Sequence, residues 1–151
     1  MSLRVGFVQP NFRSGPAHLN AYYLPYTVGV LWAYALSDNI VNENFIDTAW
    51  IFRRDNPETD AETLAENCDI VFFSTYVWNW NYCAAVCKHL KRINPAVITV
   101  FGGPQVPHSS PTLFLQHPYI DTVIVGEGER ATVELLHMFH QNTPLPQKHS
   151  A

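Results

Sequence analysis

Short apolar runs alternate with amphipathic segments along this chain of 151 residues. Apolar runs that end on Gly, Pro or Asn are typical of buried strands, and apolar residues three or four positions apart are typical of helices. The pattern predicts five strands, at Val5–Gln9, Phe45–Phe52, Asp69–Thr75, Val97–Phe101 and Thr122–Val125. It predicts helices from Pro25 to about Asn39, over Asp60–Asn67 and Asn81–Ile93, briefly after Ser110-Pro111, where Ser110 is the expected N-cap, and over Arg130–His140.

Strands that alternate with helices indicate an α/β fold, in which right-handed crossovers build a parallel sheet. We therefore expect a flavodoxin-like, doubly wound, five-stranded parallel sheet in the order 2-1-3-4-5, with helices on both faces. Residues 1–140 are predicted to form this Rossmann-like domain. Residues 141–151 are polar and contain proline, so we expect a loose tail or the start of a linker to a missing domain.

Composition excludes several classes of partner. The net charge is −4 and no block of Lys or Arg occurs, which argues against nucleic acid and against an anionic membrane. No apolar stretch approaches the roughly 20 residues that span a bilayer. The chain enters its first strand at Val5, which leaves no room for a signal peptide, and three cysteines make a poor disulfide framework. A cytoplasmic location is the expectation.

Unusual residues gather after the predicted strands, where open α/β sheets bind their ligands. Glycines there let backbone approach a ligand closely, because no Cβ intervenes. Paired carboxylates would repel a phosphate-dominated ligand, whereas they suit one that offers hydroxyl and amide groups. The segments are the loop from Asn11 to about Leu24, Ser74–Trp80, Gly102-Gly103-Pro104 and Gly126-Glu127-Gly128-Glu129.

Three of these segments resemble one family in their order and spacing. They are Ser74-Thr75-Tyr76-Val77-Trp78-Asn79, Phe101-Gly102-Gly103-Pro104, and Val125-Gly126-Glu127-Gly128-Glu129 followed by Thr132. In this respect the chain is similar to the cobalamin-binding domain at the N-terminus of many radical S-adenosylmethionine enzymes. The resemblance extends from Val5 to about Phe139.

The resemblance implies a cobalamin site at the strand ends and a catalytic domain beyond this chain. Gly102 and Gly103 would admit the nucleotide tail, and the hydroxyls of Ser74 and Thr75 would bond to it. Tyr76 and aromatic rings near it would cover the corrin or a following domain. The implied cofactor-binding residues are Asn11, Ser74, Thr75, Tyr76, Trp78, Gly102, Gly103, Pro104, Gly126, Glu127, Gly128 and Glu129.

Two motifs of related proteins are incomplete here. Some cobalamin domains use Asp-x-His-x-x-Gly to ligate cobalt, but His18 lies between Pro16 and Ala21 at the positions of Asp and Gly. We therefore expect cobalamin without this histidine ligand. The cluster motif Cys-x-x-x-Cys-x-x-Cys ends after Cys83 and Cys87, which are expected to be buried helix residues. Radical chemistry, with its iron–sulfur cluster and S-adenosylmethionine, is thus assigned to the absent domain, and no protein metal site is expected.

Three other functions suit the same fold. A flavin protein would need hydroxyls and glycines that cradle phosphate after the first strand, and a phosphate receiver would need an acidic pair there. The segment from Asn11 to Gly15 lacks a run of this kind, which disfavours a flavin, and Gln9-Pro10-Asn11 lies where the acidic pair would be, which disfavours a receiver. A protein-interaction module without a cofactor stays open, because Trp78, Trp80 and Tyr82 could form an exposed docking patch. A deep groove between strands one and three would favour the cofactor, and a flat aromatic face would favour a protein partner.

Overall fold

A six-stranded parallel sheet in the order β2-β1-β3-β4-β5-β6 forms the centre of the computed structural model, which describes residues 1–109 and 111–149. The strands are β1 (Leu3–Val8), β2 (Phe45–Ile51), β3 (Ile70–Ser74), β4 (Ile98–Gly102), β5 (Thr122–Ile124) and β6 (Lys148–His149). The helices are α1 (Tyr26–Ala35), α2 (Asn39–Asn44), α3 (Pro57–Asn67), α4 (Trp80–Ile93), α5 (Leu113–Gln116) and α6 (Glu129–His140).

Each face of the sheet packs against its own layer of helices. Side chains of successive strand residues point to opposite faces, so the strands β1 to β5 contribute side chains to both layers. Phe7 and Phe72 pack with α1, α2 and α6, whereas Phe73 and Phe101 pack with α3, α4 and α5. This two-layer burial confirms the predicted α/β class with a parallel sheet.

The predicted count of five strands is wrong, because residues in the expected tail form a sixth. The Val123 N–H donates to the Gln147 carbonyl at 2.8 Å, and the Val125 N–H donates to the His149 carbonyl at 3.0 Å. His149 Nε2 also lies 2.7 Å from Glu134 Oε2 on α6. Strand β6 has only two polar residues, so its partners define it and a hydrophobic pattern could not reveal it.

The first predicted helix is two helices in the structure. Helix α1 ends at Ala35, and the separate helix α2 begins at Asn39. Asp38 separates them, and its carboxylate accepts a hydrogen bond from the Val41 N–H at 3.1 Å, which is the action of an N-cap. The other boundaries differ from the prediction by three residues at most. The expected N-cap Ser110 lies outside the described residues, and α5 begins at Leu113.

The Asp38 carboxylate should make stability depend on pH. His137 Nε2, 2.8 Å from Oδ1, and the Val41 N–H together hold the pKa of Asp38 below its ordinary value of 3.8. Because this pKa is lower in the folded chain, the stabilisation is present well above pH 3.8 and is lost as pH falls through the folded value. At pH 7 we expect Asp38→Ala to lower the free energy of unfolding by about 1 kcal/mol in urea titrations.

A control on the same short helix separates this effect from general charge removal. Glu43 is an exposed carboxylate of α2, and Glu43→Gln, which removes a charge there without removing a helix cap, should leave the free energy of unfolding at pH 7 close to that of the unaltered chain. Asp38→Asn keeps an N-cap acceptor but loses the charge, so its stability should vary less between pH 7 and pH 3. An acid profile identical in Asp38→Asn and the unaltered chain would contradict this assignment.

Candidate functional site

A cavity of about 520 Å³ lies at the carboxyl ends of β3, β4 and β5, beneath α1. Its floor is mainly apolar and includes Phe72, Val100 and Ile124. Val28 and Leu31 of α1 form the facing wall. The volume falls in the range of about 300–1,000 Å³ that is usual for small-molecule sites. The floor is formed by β3 to β5, so the cavity is displaced from the junction of β1 and β3 where we expected a groove.

Strand register places a serine and a glycine side by side at the rim of this floor. Phe72 pairs with Val100, and two positions further on Ser74 pairs with Gly102. Since side chains alternate between faces with a period of two, all four positions face the α1 layer. The hydroxyl of Ser74 and the open space above Gly102 therefore lie next to the apolar floor.

The Ser74 hydroxyl is the most informative polar group of the cavity. Ser74 is 4% exposed, and its Oγ finds no hydrogen-bond partner within residues 1–109 and 111–149. An unpaired buried hydroxyl costs free energy of about 1–3 kcal/mol, so such groups in native proteins usually serve a ligand or water. Ser74 is among the residues that line the cavity, so this buried, unpaired hydroxyl lies at the cavity wall.

Buried Asn79 shapes the turn that follows β3. Its Oδ1 accepts from the Tyr76 N–H at 2.7 Å, and its Nδ2 donates to the Ser74 carbonyl at 3.0 Å and to the Pro10 carbonyl at 3.3 Å. This side chain is fully buried. Asn79 therefore ties the loop after β1 to the loop after β3 and fixes where Tyr76 enters the cavity wall.

The glycine loops form the open side of the cavity. Gly103 and Gly126 have φ values of +100° and +87°, which L side chains rarely adopt. A Cβ on Gly128 would lie 3.0 Å from Leu31 Cδ2, so this glycine lets α6 begin close to α1. The side chains of Glu127 and Glu129 line the same opening and supply two carboxylates.

Nine of the twelve sequence-predicted site residues line this one cavity, and three do not. Thr75 points to the other face, where its Oγ1 donates to the Gly102 carbonyl at 2.8 Å. Asn11 donates to the carbonyls of Tyr23 and Leu24 and so shapes the first loop. Trp78 lies outside the cavity lining and stacks on Tyr76, with ring centroids 4.6 Å apart. The nine are Ser74, Tyr76, Gly102, Gly103, Pro104, Gly126, Glu127, Gly128 and Glu129.

Sequence reasoning missed the wall that α1 contributes. Tyr26, Thr27, Val28, Val30 and Leu31 all line the cavity. The sequence of α1 contains no charged residue, unlike the longer helices α3, α4 and α6, and this difference is the signal that the sequence offers. A helix that is apolar all round is buried on more than one side, or covers a site.

The two helical cysteines are held away from the cavity. Cys83 and Cys87 belong to the buried cluster on the α4 face, and burial raises the pKa of both thiols, that of Cys87 to about 12. Cys87 Sγ also donates to the Tyr119 carbonyl at 3.2 Å. Protonated, buried thiols are poor metal ligands. In the part of the chain that the structure describes, no group of three or more His, Cys, Asp or Glu residues is placed to hold a metal ion.

The aromatic residues considered for a docking patch do not share one exposed face. Trp80 packs edge-on against Phe101, with ring centroids 5.7 Å apart, and Tyr82 donates a 2.7 Å hydrogen bond to Asp60. Trp78 alone of the three is exposed. The described residues also include no helix long and apolar enough to cross a membrane.

The fold and the cavity define a doubly wound domain with a cavity of small-molecule size at the carboxyl edge of its sheet. The B12 binding domain family matches residues 35–136, which is most of this core. The chain therefore belongs to the B12 binding domain family.

The chain spans only about a fifth of the length of the curated relatives that it matches. The chain is 35% identical over 119 residues to 2-(S-pantetheinyl)-carbapenam-3-carboxylate methyltransferase of Streptantibioticus cattleyicolor, and 36% identical over 119 residues to the cobalamin-dependent radical SAM methyltransferase TokK of Streptomyces tokunonensis. Each match covers 78% of this chain and 17% of the relative. An anaerobic magnesium-protoporphyrin IX monomethyl ester cyclase of Rubrivivax gelatinosus is 25% identical over 89% of this chain and 24% of its own length.

Solved structures with low sequence identity share the fold. A protein from Burkholderia pseudomallei described as related to pilus assembly has a TM-score of 0.60 at 14% identity, over 95% of this chain and 92% of its own. The type II dehydroquinase of Butyrivibrio crossotus has a TM-score of 0.57 at 15% identity, over 92% of this chain and 98% of its own. At these identities the likeness concerns the fold alone.

Proposed function

We propose that this chain is the cobalamin-binding domain of a larger radical S-adenosylmethionine enzyme and that it presents the cofactor to a separate catalytic domain. The observation that carries the proposal is the buried, unpaired Ser74 hydroxyl at the rim of an apolar cavity. The family assignment and the two methyltransferase relatives support the choice of cofactor and of enzyme class. Bound cobalamin supplies a redox-active cobalt centre for methyl transfer or a rearrangement.

The residues of the cavity fit the parts of this cofactor. The apolar floor and the α1 wall would hold the aromatic base of the nucleotide tail, and Ser74 would donate a hydrogen bond to it. Glu127 and Glu129 would accept hydrogen bonds from ribose hydroxyls or from amide groups of the corrin. Tyr76, with Trp78 stacked on it, would cover the corrin or the face of the catalytic domain. Asn11 and Thr75 would act indirectly, through the loop and the turn that they hold.

Cofactor binding and radical chemistry would belong to separate domains. Residues 1–140 together with the edge strand β6 would form the cofactor-binding domain, and a catalytic domain outside this chain would hold the iron–sulfur cluster and S-adenosylmethionine. Since the chain spans 17% of the two methyltransferases, a partner domain of this kind has ample room in a full-length protein. The chain alone would bind cofactor and carry out no radical chemistry. The protein would be cytoplasmic.

The direct test is binding of hydroxocobalamin to the purified chain. After incubation and removal of free cofactor by gel filtration, we expect the visible spectrum of cobalamin in the protein peak at close to one equivalent. Band positions should match cobalamin that lacks a protein histidine ligand, and His18→Ala should leave them unchanged. Binding of flavin mononucleotide serves as the comparison, because the fold also suits flavins.

Three results would count against the proposal. Folded protein, verified by circular dichroism, that elutes without cobalamin would remove the binding function from this chain. A spectrum that changes in His18→Ala would show a histidine ligand where the incomplete motif argues against one. Selective retention of the flavin would assign the cavity to a different cofactor class.

A further inference from the structure

A series of hydrogen-bonded polar side chains links α1 to the loop after β3, which form two walls of the cavity. Gln9, 5% exposed at the end of β1, accepts a hydrogen bond from the Val28 N–H through Oε1 at 3.1 Å. Gln9 Nε2 lies 3.5 Å from Thr27 Oγ1, at the long limit of a hydrogen bond. Thr27 Oγ1 lies 2.7 Å from the hydroxyl of Tyr76. Thr27 and Val28 belong to α1, and Tyr76 belongs to the loop after β3.

Gln9 supplies the hydrogen-bond acceptor at the start of α1 that an N-cap residue usually supplies. The first N–H groups of a helix need external acceptors. Pro25, which precedes α1, has no side-chain acceptor. The amide of Gln9 reaches across from the neighbouring strand and accepts from the Val28 N–H instead, so the position of α1 depends on β1.

Tyr76, at the end of this series of hydrogen bonds, belongs to an aromatic pair. The rings of Tyr76 and Trp78 are nearly parallel, with an interplanar angle of 9° and centroids 4.6 Å apart. Tyr76 lines the cavity, and the 43% exposed Trp78 is also in contact with Phe12, whose ring centroid is 5.6 Å away. The hydrogen bond between the hydroxyls of Thr27 and Tyr76 restrains the position of the tyrosine ring and hence of the pair.

We propose that Gln9, Thr27 and Tyr76 form a polar bridge that sets the position of the Tyr76–Trp78 ring pair relative to α1 and so prepares the cavity for its cofactor. Gln9 and Thr27 are positioning residues in this scheme, because they act through Tyr76 and through the start of α1. The inference rests on the proposed function, since the cofactor is the ligand whose affinity the bridge would raise. Preorganisation of this kind improves affinity by reducing the ordering cost at binding.

The test is a double-mutant cycle on the hydroxyl pair. Thr27→Val and Tyr76→Phe each remove one hydroxyl and keep the size of the side chain. We expect each to weaken hydroxocobalamin binding about tenfold, and the double variant to weaken it about tenfold as well, because both remove the same bond. Thr27→Ser keeps the hydroxyl and should restore affinity. Tyr34→Phe removes an exposed tyrosine hydroxyl from the same helix and should have no effect.

A spectroscopic measurement tests the bridge independently of cobalamin binding. Near-ultraviolet circular dichroism of the unliganded protein reports on the stacked pair, and its signal should fall in Thr27→Val and recover in Thr27→Ser. Failure of the unaltered chain to bind cobalamin would end the proposed function, and the dichroism would still decide about the bridge. Single variants with unchanged affinity and unchanged dichroism, or losses that multiply to about a hundredfold in the double variant, would overturn the bridge.

Discussion

The Gly102→Leu protein should fold normally and bind hydroxocobalamin about 100-fold more weakly than the unaltered chain. Gly102 lines the cavity at the end of β4, next to Ser74. An added Cβ would come no closer than 3.7 Å to Ile124, which is an ordinary van der Waals contact, so the backbone can accept a side chain. The rest of a leucine would occupy space above the apolar floor that the cofactor needs. Gel filtration and equilibrium dialysis measure the affinity.

Gly29→Leu is the matched control for this experiment. Gly29 belongs to α1, the cavity wall, and an added Cβ there meets no described atom within 4 Å outside its chain neighbours and the backbone of its own helix. The same side chain is therefore introduced beside the cavity without entering it, and leucine also raises helix propensity relative to glycine. Urea unfolding should give normal stability for both variants. Equal cobalamin affinity in Gly102→Leu and Gly29→Leu would place the cofactor somewhere other than this cavity.

The sequence predicts the cavity lining best where glycine turns directly follow a predicted strand. Gly102-Gly103 and Gly126–Glu129 follow strands, and both segments line the cavity, as the rule for open α/β sheets predicts. The same reasoning treated Ser74 and Thr75 as equivalent. Consecutive residues of a strand face opposite sides of the sheet, so only Ser74 meets the cavity, while Thr75 bonds to the Gly102 carbonyl. Applying the period of two to this pair would have separated them in advance.

Other features depend on tertiary contacts that no local pattern records. Helix α1 is apolar on all sides, so its sequence does not distinguish the side that faces the sheet from the side that faces the cavity. Strand β6 exists because β5 offers an unpaired edge and because Glu134 meets His149. The link between Gln9 and Val28 joins residues 19 positions apart through a buried amide. The geometry of this hydrogen bond depends on the path of the chain from β1 to α1, and this path cannot be inferred from the sequence alone.

Loss of stability, as opposed to loss of binding, is the expected result of Gly103→Ala. Gly103 has a φ of +100°, and a Cβ there would lie 2.5 Å from the Thr75 carbonyl oxygen and 2.9 Å from the Thr75 nitrogen. These are backbone atoms whose hydrogen bonds to Gly102 and Gln105 hold the turn after β4. We expect the free energy of unfolding to fall by about 3 kcal/mol, from unfavourable φ, steric overlap and a weakened hydrogen bond together.

Gly126→Ala separates the contribution of backbone conformation from that of the overlap. Gly126 has a similar φ of +87°, yet apart from its two chain neighbours no heavy atom of the described residues lies within 4 Å of the position of its Cβ. Gly126→Ala should therefore lower the free energy of unfolding only through the unfavourable φ, by about 1 kcal/mol in urea titrations. Equal losses in the two variants would mean that the turn moves away from Thr75 at little cost. The larger loss at Gly103 would instead show that β3 and the loop after β4 are held together as one rigid rim. In that case Ser74 and Gly102, which sit on the same two strands, keep their spacing whether or not a ligand is bound.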